Sequence, residues 1–82
     1  MSKLDKLIEE ILKLNKNLRF EELAKVLIKL GYVQHQPKGG SSHYTFRKDG
    51  CMPITIPKVI PVKKIYVKMV KEVILQNGYE EV

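Results

Sequence analysis

This 82-residue chain is poor in the residues around which most cofactor sites are built. It has one cysteine, Cys51, which excludes an internal disulfide framework and a cysteine-based zinc cluster. It has two histidines, His35 and His43, eight positions apart, and its few acids fall mostly on helix-like segments, so no metal-ligand set converges. Gly39-Gly40 lacks the remaining spacing of a P-loop or dinucleotide fingerprint. The apolar runs are only a few residues long, too short to span a bilayer. The start, Met-Ser-Lys-Leu-Asp-Lys, lacks the apolar core of a signal peptide. The expectation is one small domain over residues 1–82, soluble and cytoplasmic, with no cofactor and no metal. A hydrophobic fraction of 44% is too high for a disordered chain.

Acid is scarcest where base is richest. Residues 1–33 hold seven basic and five acidic side chains, and residues 72–82 hold three Glu and no base. Residues 34–71 carry Lys38, Arg47, Lys48, Lys58, Lys63, Lys64, Lys68 and Lys71 against Asp49 alone, a local net charge of +7. A basic middle on a small domain is the electrostatic footprint of a phosphate-backbone binder. Charge alone does not separate that reading from a lysine-rich solvated face.

The pattern of apolar residues predicts the scaffold. Leu4, Leu7, Ile8 and Ile11 follow the i, i+3, i+4, i+7 template, with Ser2 and Asp5 as a capping box and Leu12 and Leu14 widening the stripe. Asn15-Lys16-Asn17 breaks that pattern, and Asn17 is placed to cap a second helix through Phe20, Leu23, Ala24 and Leu27. Gly31 ends it as a left-handed cap. Tyr32 to Gln36 reads as a short strand closed by Pro37 and Gly39-Gly40. His35 alternates with Val33, which places it partly inward, in a packing role rather than a catalytic one unless a bulge reverses the assignment.

From Ser42 to Arg47, Tyr44 and Phe46 fall on one face and His43, Thr45 and Arg47 on the other. Lys48-Asp49-Gly50 turns the chain, and Met52 to Ile56 returns as a third strand with Ile54 and Ile56 inward, bracketed by Pro53 and Pro57. Cys51, at a hairpin end, reads as structural rather than nucleophilic. Pro61 opens a last helix whose apolar face is Ile65, Met69, Val70 and Val73, stopped by Asn77-Gly78. The predicted fold is α+β: a three-stranded antiparallel meander with helices on one face and the other face open.

One stretch concentrates chemistry, Lys38-Gly-Gly-Ser-Ser-His-Tyr-Thr-Phe46. It sets His43 at the start of a strand, directly after a basic Gly/Ser turn. Histidine is the side chain suited to proton transfer near neutral pH. The turn offers backbone N–H groups that can approach an anion, with Lys38 beside them. Arg47 and Lys48 follow on the same strand and its turn. A proton-transfer group beside a phosphate cradle, on a basic protein, points to chemistry on RNA.

Residues 18–77 resemble the HicA-type toxins, the RNA-cleaving halves of HicA–HicB toxin–antitoxin pairs. The resemblance rests on Phe20-Glu21-Glu22-Leu23 leading to Leu30-Gly31-Tyr32, on Gly40-Ser41-Ser42-His43-Tyr44, on Ile54-Thr55-Ile56-Pro57, and on a closing helix. It implies a double-stranded-RNA-binding-domain-like α-β-β-β-α fold, metal-free cleavage of mRNA, and a HicB-type antitoxin as partner. It assigns the catalytic histidine to His43, and Ser42 matches the serine of the family's Gly-Ser-His motif. Three positions depart from the pattern. Ser41 stands where the family has glycine, Lys58 and Val59 follow Pro57 where a second histidine is common, and Lys63-Lys64-Ile65 replaces a Gly-Thr pair. Residues 1–17 lie outside the resemblance and form an added N-terminal helix.

Cleavage without a metal requires the 2′-OH deprotonated, the phosphorane charge stabilised and the 5′-oxygen protonated. On this reading His43 is expected to act as general acid or base and Lys38 with the amides near Gly40 to stabilise charge; a second proton carrier is not obvious, and His35 is a weak candidate. The RNA- and phosphate-binding candidates are Lys38, Gly40, Ser41, Ser42, Arg47, Lys48, Lys58, Lys63 and Lys64. The competing reading is a non-catalytic RNA-binding domain of the same fold, which would straddle phosphates with Lys63, Lys64 and Lys68.

Overall fold

The chain runs α1 (Lys3–Leu12), α2 (Phe20–Lys29), β1 (Val33–His35), β2 (His43–Arg47), β3 (Ile54–Pro57) and α3 (Lys64–Gln76) in a computed structural model. The structure describes residues 3–15, 17–36, 39 and 42–80. Ser2 of the expected capping box and Pro37 lie outside the described residues.

The apolar stripe of α1 buries Ile8, Ile11 and Leu12, and Leu4 and Leu7 pack half-buried against the same core. Leu14 packs half-buried against the core as well, but from beyond the helix end. It adopts φ 56° beyond the helix end, where its N–H donates to the Ile11 carbonyl and the Asn15 N–H donates to the Glu10 carbonyl. These two bonds satisfy carbonyls that a helix end otherwise leaves unpaired, so a leucine fills the left-handed position usually given to glycine. Asn17 is likewise left-handed, at φ 67°, and does not cap α2. The N-cap is Arg19, whose backbone N–H is held by the Glu22 carboxylate at 2.8 Å.

The end of α2 follows the sequence expectation. Gly31 takes φ 102°, its N–H donates to the Ile28 carbonyl, and the Tyr32 N–H reaches the Leu27 carbonyl. This double bond pattern turns the chain sharply and drives Tyr32, only 5% exposed, into the core.

The three strands form an antiparallel sheet in the order β1-β2-β3. Phe46 and Ile56 are fully buried and Ile54 nearly so. Tyr44 packs beside them, with the Phe20 ring 5.0 Å from Tyr44 and 6.0 Å from Phe46. Here α2 closes over the inner sheet face, and Val67, Val70, Val73 and Ile74 of α3 complete the core. The register on the outer face pairs Val33 with Arg47, His35 with Thr45, Thr45 with Thr55, and His43 with Pro57.

Two expectations about α3 are corrected. Pro61 precedes the helix rather than opening it, because the Val62 N–H is bonded to the Leu18 carbonyl at 3.1 Å and the chain stays extended until Lys63, the N-cap. Ile65 is 62% exposed, because it lies two residues before Val67, about 200° around the helix from it. No helix among the described residues is long and apolar enough to cross a membrane.

Candidate functional site

The uncovered face of the sheet is where the histidines meet. Strand alternation leaves His43, Thr45 and Arg47 of β2 on that face, with His43 and Arg47 exposed and Thr45 half-buried. The same rule applied to β1 places Val33 and His35 there as well. Val33 is 60% exposed and His35 is exposed, whereas Gln34 between them is half-buried. The expectation that His35 packs inward is therefore overturned. Its cause lies just before the strand. The left-handed Gly31 fixes Tyr32 inward, and alternation from Tyr32 then turns Val33 outward, Gln34 inward and His35 outward.

Three rows of side chains result. Val33 faces Arg47, His35 faces Thr45 with Thr55 beyond it on β3, and His43 faces Pro57. The Thr45 and Thr55 hydroxyls hydrogen-bond across the strands at 3.2 Å. His35 is thus the diagonal neighbour of both His43 and Arg47, positions separated by roughly 7–8 Å in an antiparallel pair. His43 and Arg47 are four residues apart on one strand, about 13 Å.

The other candidates are distributed differently. Lys38, Gly40 and Ser41 lie outside the described residues. Ser42 is exposed and its carbonyl accepts the Lys58 N–H at 2.7 Å, which extends the β2–β3 ladder and pins the strand immediately before His43. Lys58 is exposed at that end of the sheet, its ammonium 6.0 Å from the Tyr44 ring centroid. Lys48 serves the fold instead. Its ammonium donates to the Leu30 carbonyl at 2.8 Å and sits 5.8 Å from the Tyr32 ring centroid, so it neutralises the C-terminal end of α2 on the core side of the sheet.

Lys63 and Lys64 are exposed at the N-terminus of α3, with no acidic residue in the first turn. Cations at a helix N-terminus oppose the helix dipole. That arrangement works against the helix and favours an anion placed beside both charges. Exposed apolar side chains, Ile60 at 73% and Ile65 at 62%, lie among these lysines.

A groove of about 540 Å³ opens elsewhere, lined by Tyr32, Cys51, Met52, Met69, Glu72 and Gln76 among others, and contains neither histidine. Burial raises the Tyr32 phenol above its ordinary value, and its hydrogen bond to the Cys51 thiol adds to the rise. Cys51 itself is exposed. Among the described residues no three side chains of His, Cys, Asp or Glu come together as a metal site. No model of a protein family, no curated protein and no solved structure matches this chain.

Proposed function

We propose that this chain is a metal-independent endoribonuclease, an mRNA interferase of the HicA type, built on a double-stranded-RNA-binding-domain-like scaffold. The observation that carries the reading is the exposed position of His43 on the sheet face that the helices leave uncovered, on the same strand face as Arg47. The resemblance of the Ser42-His43 segment to the family's motif supports it. In this reading His43 transfers a proton during attack of the 2′-OH on the adjacent phosphate. Arg47 contacts a neighbouring phosphate, and Lys58, Lys63 and Lys64 hold the backbone by charge. A HicB-type antitoxin in the cytoplasm would silence the enzyme by covering the open face.

The test is a gel assay on a long single-stranded RNA in the presence of EDTA, with His43→Ala beside the natural protein. Cleavage by the natural protein alone, leaving 2′,3′-cyclic phosphate and 5′-hydroxyl ends, is the expected result. A second reading, RNA binding without cleavage, is favoured by the exposed Lys63 and Lys64 at the start of α3, the kind of helix end that straddles phosphates in such domains. RNA retained but left intact by both proteins would establish that second reading.

A further inference from the structure

Metal-free cleavage of RNA moves two protons, one off the 2′-oxygen and one onto the departing 5′-oxygen. His43 can serve only one of these at a time. The structure brings a second imidazole to the same face. His35 is exposed, its Cα partner is Thr45, and it is the diagonal neighbour of His43. Residues at such diagonal positions are roughly 7–8 Å apart, within reach of ring side chains. Attacking and leaving oxygens lie on opposite sides of phosphorus in an in-line displacement, so two proton carriers must approach from different directions. Two imidazoles set diagonally across a strand pair can flank a phosphate lying between them. The Thr45–Thr55 hydroxyl pair, bonded at 3.2 Å, ties β2 to β3 on the far side of β2 from His35. Arg47, diagonal to His35 on its other side, is placed to balance the charge that develops on the phosphorane.

We propose that His35 is the second proton carrier, so that His35 and His43 form the acid–base pair of the site. This rests on the endoribonuclease reading above. One imidazole, neutral, accepts the 2′-hydroxyl proton as the O2′–P bond forms. The other, protonated, gives its proton to O5′ as the P–O5′ bond breaks. The products are a 2′,3′-cyclic phosphate and a 5′-hydroxyl, and no other reactant is needed. Nothing in the spacing of His35 along the sequence marks it for this role; only the strand register places it there.

The test uses the full chain, first to map a cleavage site on long RNA in EDTA. A short RNA carrying that site is then prepared in two forms, one natural and one with sulfur replacing the bridging 5′-oxygen. A thiolate leaves without a proton, so the sulfur substrate bypasses the acid alone. Both His35→Ala and His35→Gln are expected to lower cleavage of the natural form by about 10²–10⁴-fold, with an unchanged urea midpoint because His35 is exposed. On the sulfur form, activity returns to whichever histidine variant lacks the acid, His35→Ala or His43→Ala, and not to the other. His35 variants that cut the natural form within threefold of the parent, while His43→Ala is inactive, overturn the proposal and leave the ribonuclease reading standing. Loss of activity with rescue of neither variant also overturns it, making His35 a positioning residue. Absence of cleavage by the parent protein removes both readings together.

Discussion

The two faces of β2 should respond to mutation in opposite ways, and Phe46 and His43 test this on a single strand. Phe46 is fully buried, lies 6.0 Å from the Phe20 ring centroid, and faces Gln34 and Ile54 across its two neighbouring strands. An aromatic side chain buries roughly 150–250 Å². At about 25 cal/mol per Å² this corresponds to an upper bound of roughly 4–6 kcal/mol, and truncation of buried phenylalanine typically costs about 3–5 kcal/mol. A chain of 82 residues is expected to hold about 4–12 kcal/mol of total stability at roughly 0.05–0.15 kcal/mol per residue. Phe46→Ala therefore removes a large share of it. With a urea slope of about 1 kcal/mol per M, the unfolding midpoint falls by about 3 M or the folded baseline disappears. Phe46→Leu, which keeps most of the volume, should lose under about 1.5 kcal/mol and remain measurable if the alanine variant does not fold. His43→Ala, three residues earlier and exposed, should shift stability by less than about 1 kcal/mol while cleavage falls by about 10²–10⁴-fold. Equilibrium urea unfolding followed by circular dichroism reads both. A loss under about 1 kcal/mol at Phe46→Ala, or equal losses at the two positions, would refute the assignment of one face to the core and one to the site.

Three further outcomes follow from other parts of the molecule. Gly31→Ala forces a side chain into φ 102° with its Cβ 3.2 Å from Lys48 Cε, and should destabilise by about 1–2 kcal/mol in urea unfolding. Replacing Lys63 and Lys64 together by Gln relieves two cations at the N-terminus of α3 and should stabilise by about 0.3–1 kcal/mol each; if both contact phosphates, the salt dependence of single-stranded RNA binding becomes shallower by roughly 1.4 in log–log slope. Burial holds the Tyr32 phenol neutral above its ordinary range, so its stabilising contribution is complete below about pH 10 and is lost as pH rises through the raised value. The tyrosinate absorbance difference between the parent and Tyr32→Phe should accordingly show a midpoint above about 10.

The outline of the fold was legible in the chain because most of it is local. Helix periodicity, the Gly31 stop and the alternation of Tyr44 and Phe46 each act within a few residues, and the structure carries all three. The misjudged positions have other causes. Leu14 and Asn17 take left-handed positions that non-glycine residues seldom fill, and Pro61 sits in a connection held by the Val62–Leu18 hydrogen bond, which ties the segment before α3 to the α1–α2 connection. Residue propensity argues against the first two positions and carries no information about the long-range bond at the third. Charge alone places Lys48 with the phosphate-binding lysines, yet its position after Arg47 turns it toward the end of α2, where the Leu30 carbonyl takes it.

His35 and His43 show the division most clearly. By itself the sequence determined that a histidine would stand at the start of β2, on the face opposite Tyr44 and Phe46, because period-two alternation is a property of the strand alone. It also determined the basic middle of the chain, since charge is additive and needs no fold. That His35 would stand beside His43 was decided only when the strand phase met the tertiary pairing. The Gly31 cap sets the phase of β1, and the pairing of Val33 with Arg47 and His35 with Thr45 sets its register. A shift of one residue in that pairing would carry His35 to the core side, so its place beside His43 depends on inter-strand hydrogen bonds that no single segment encodes.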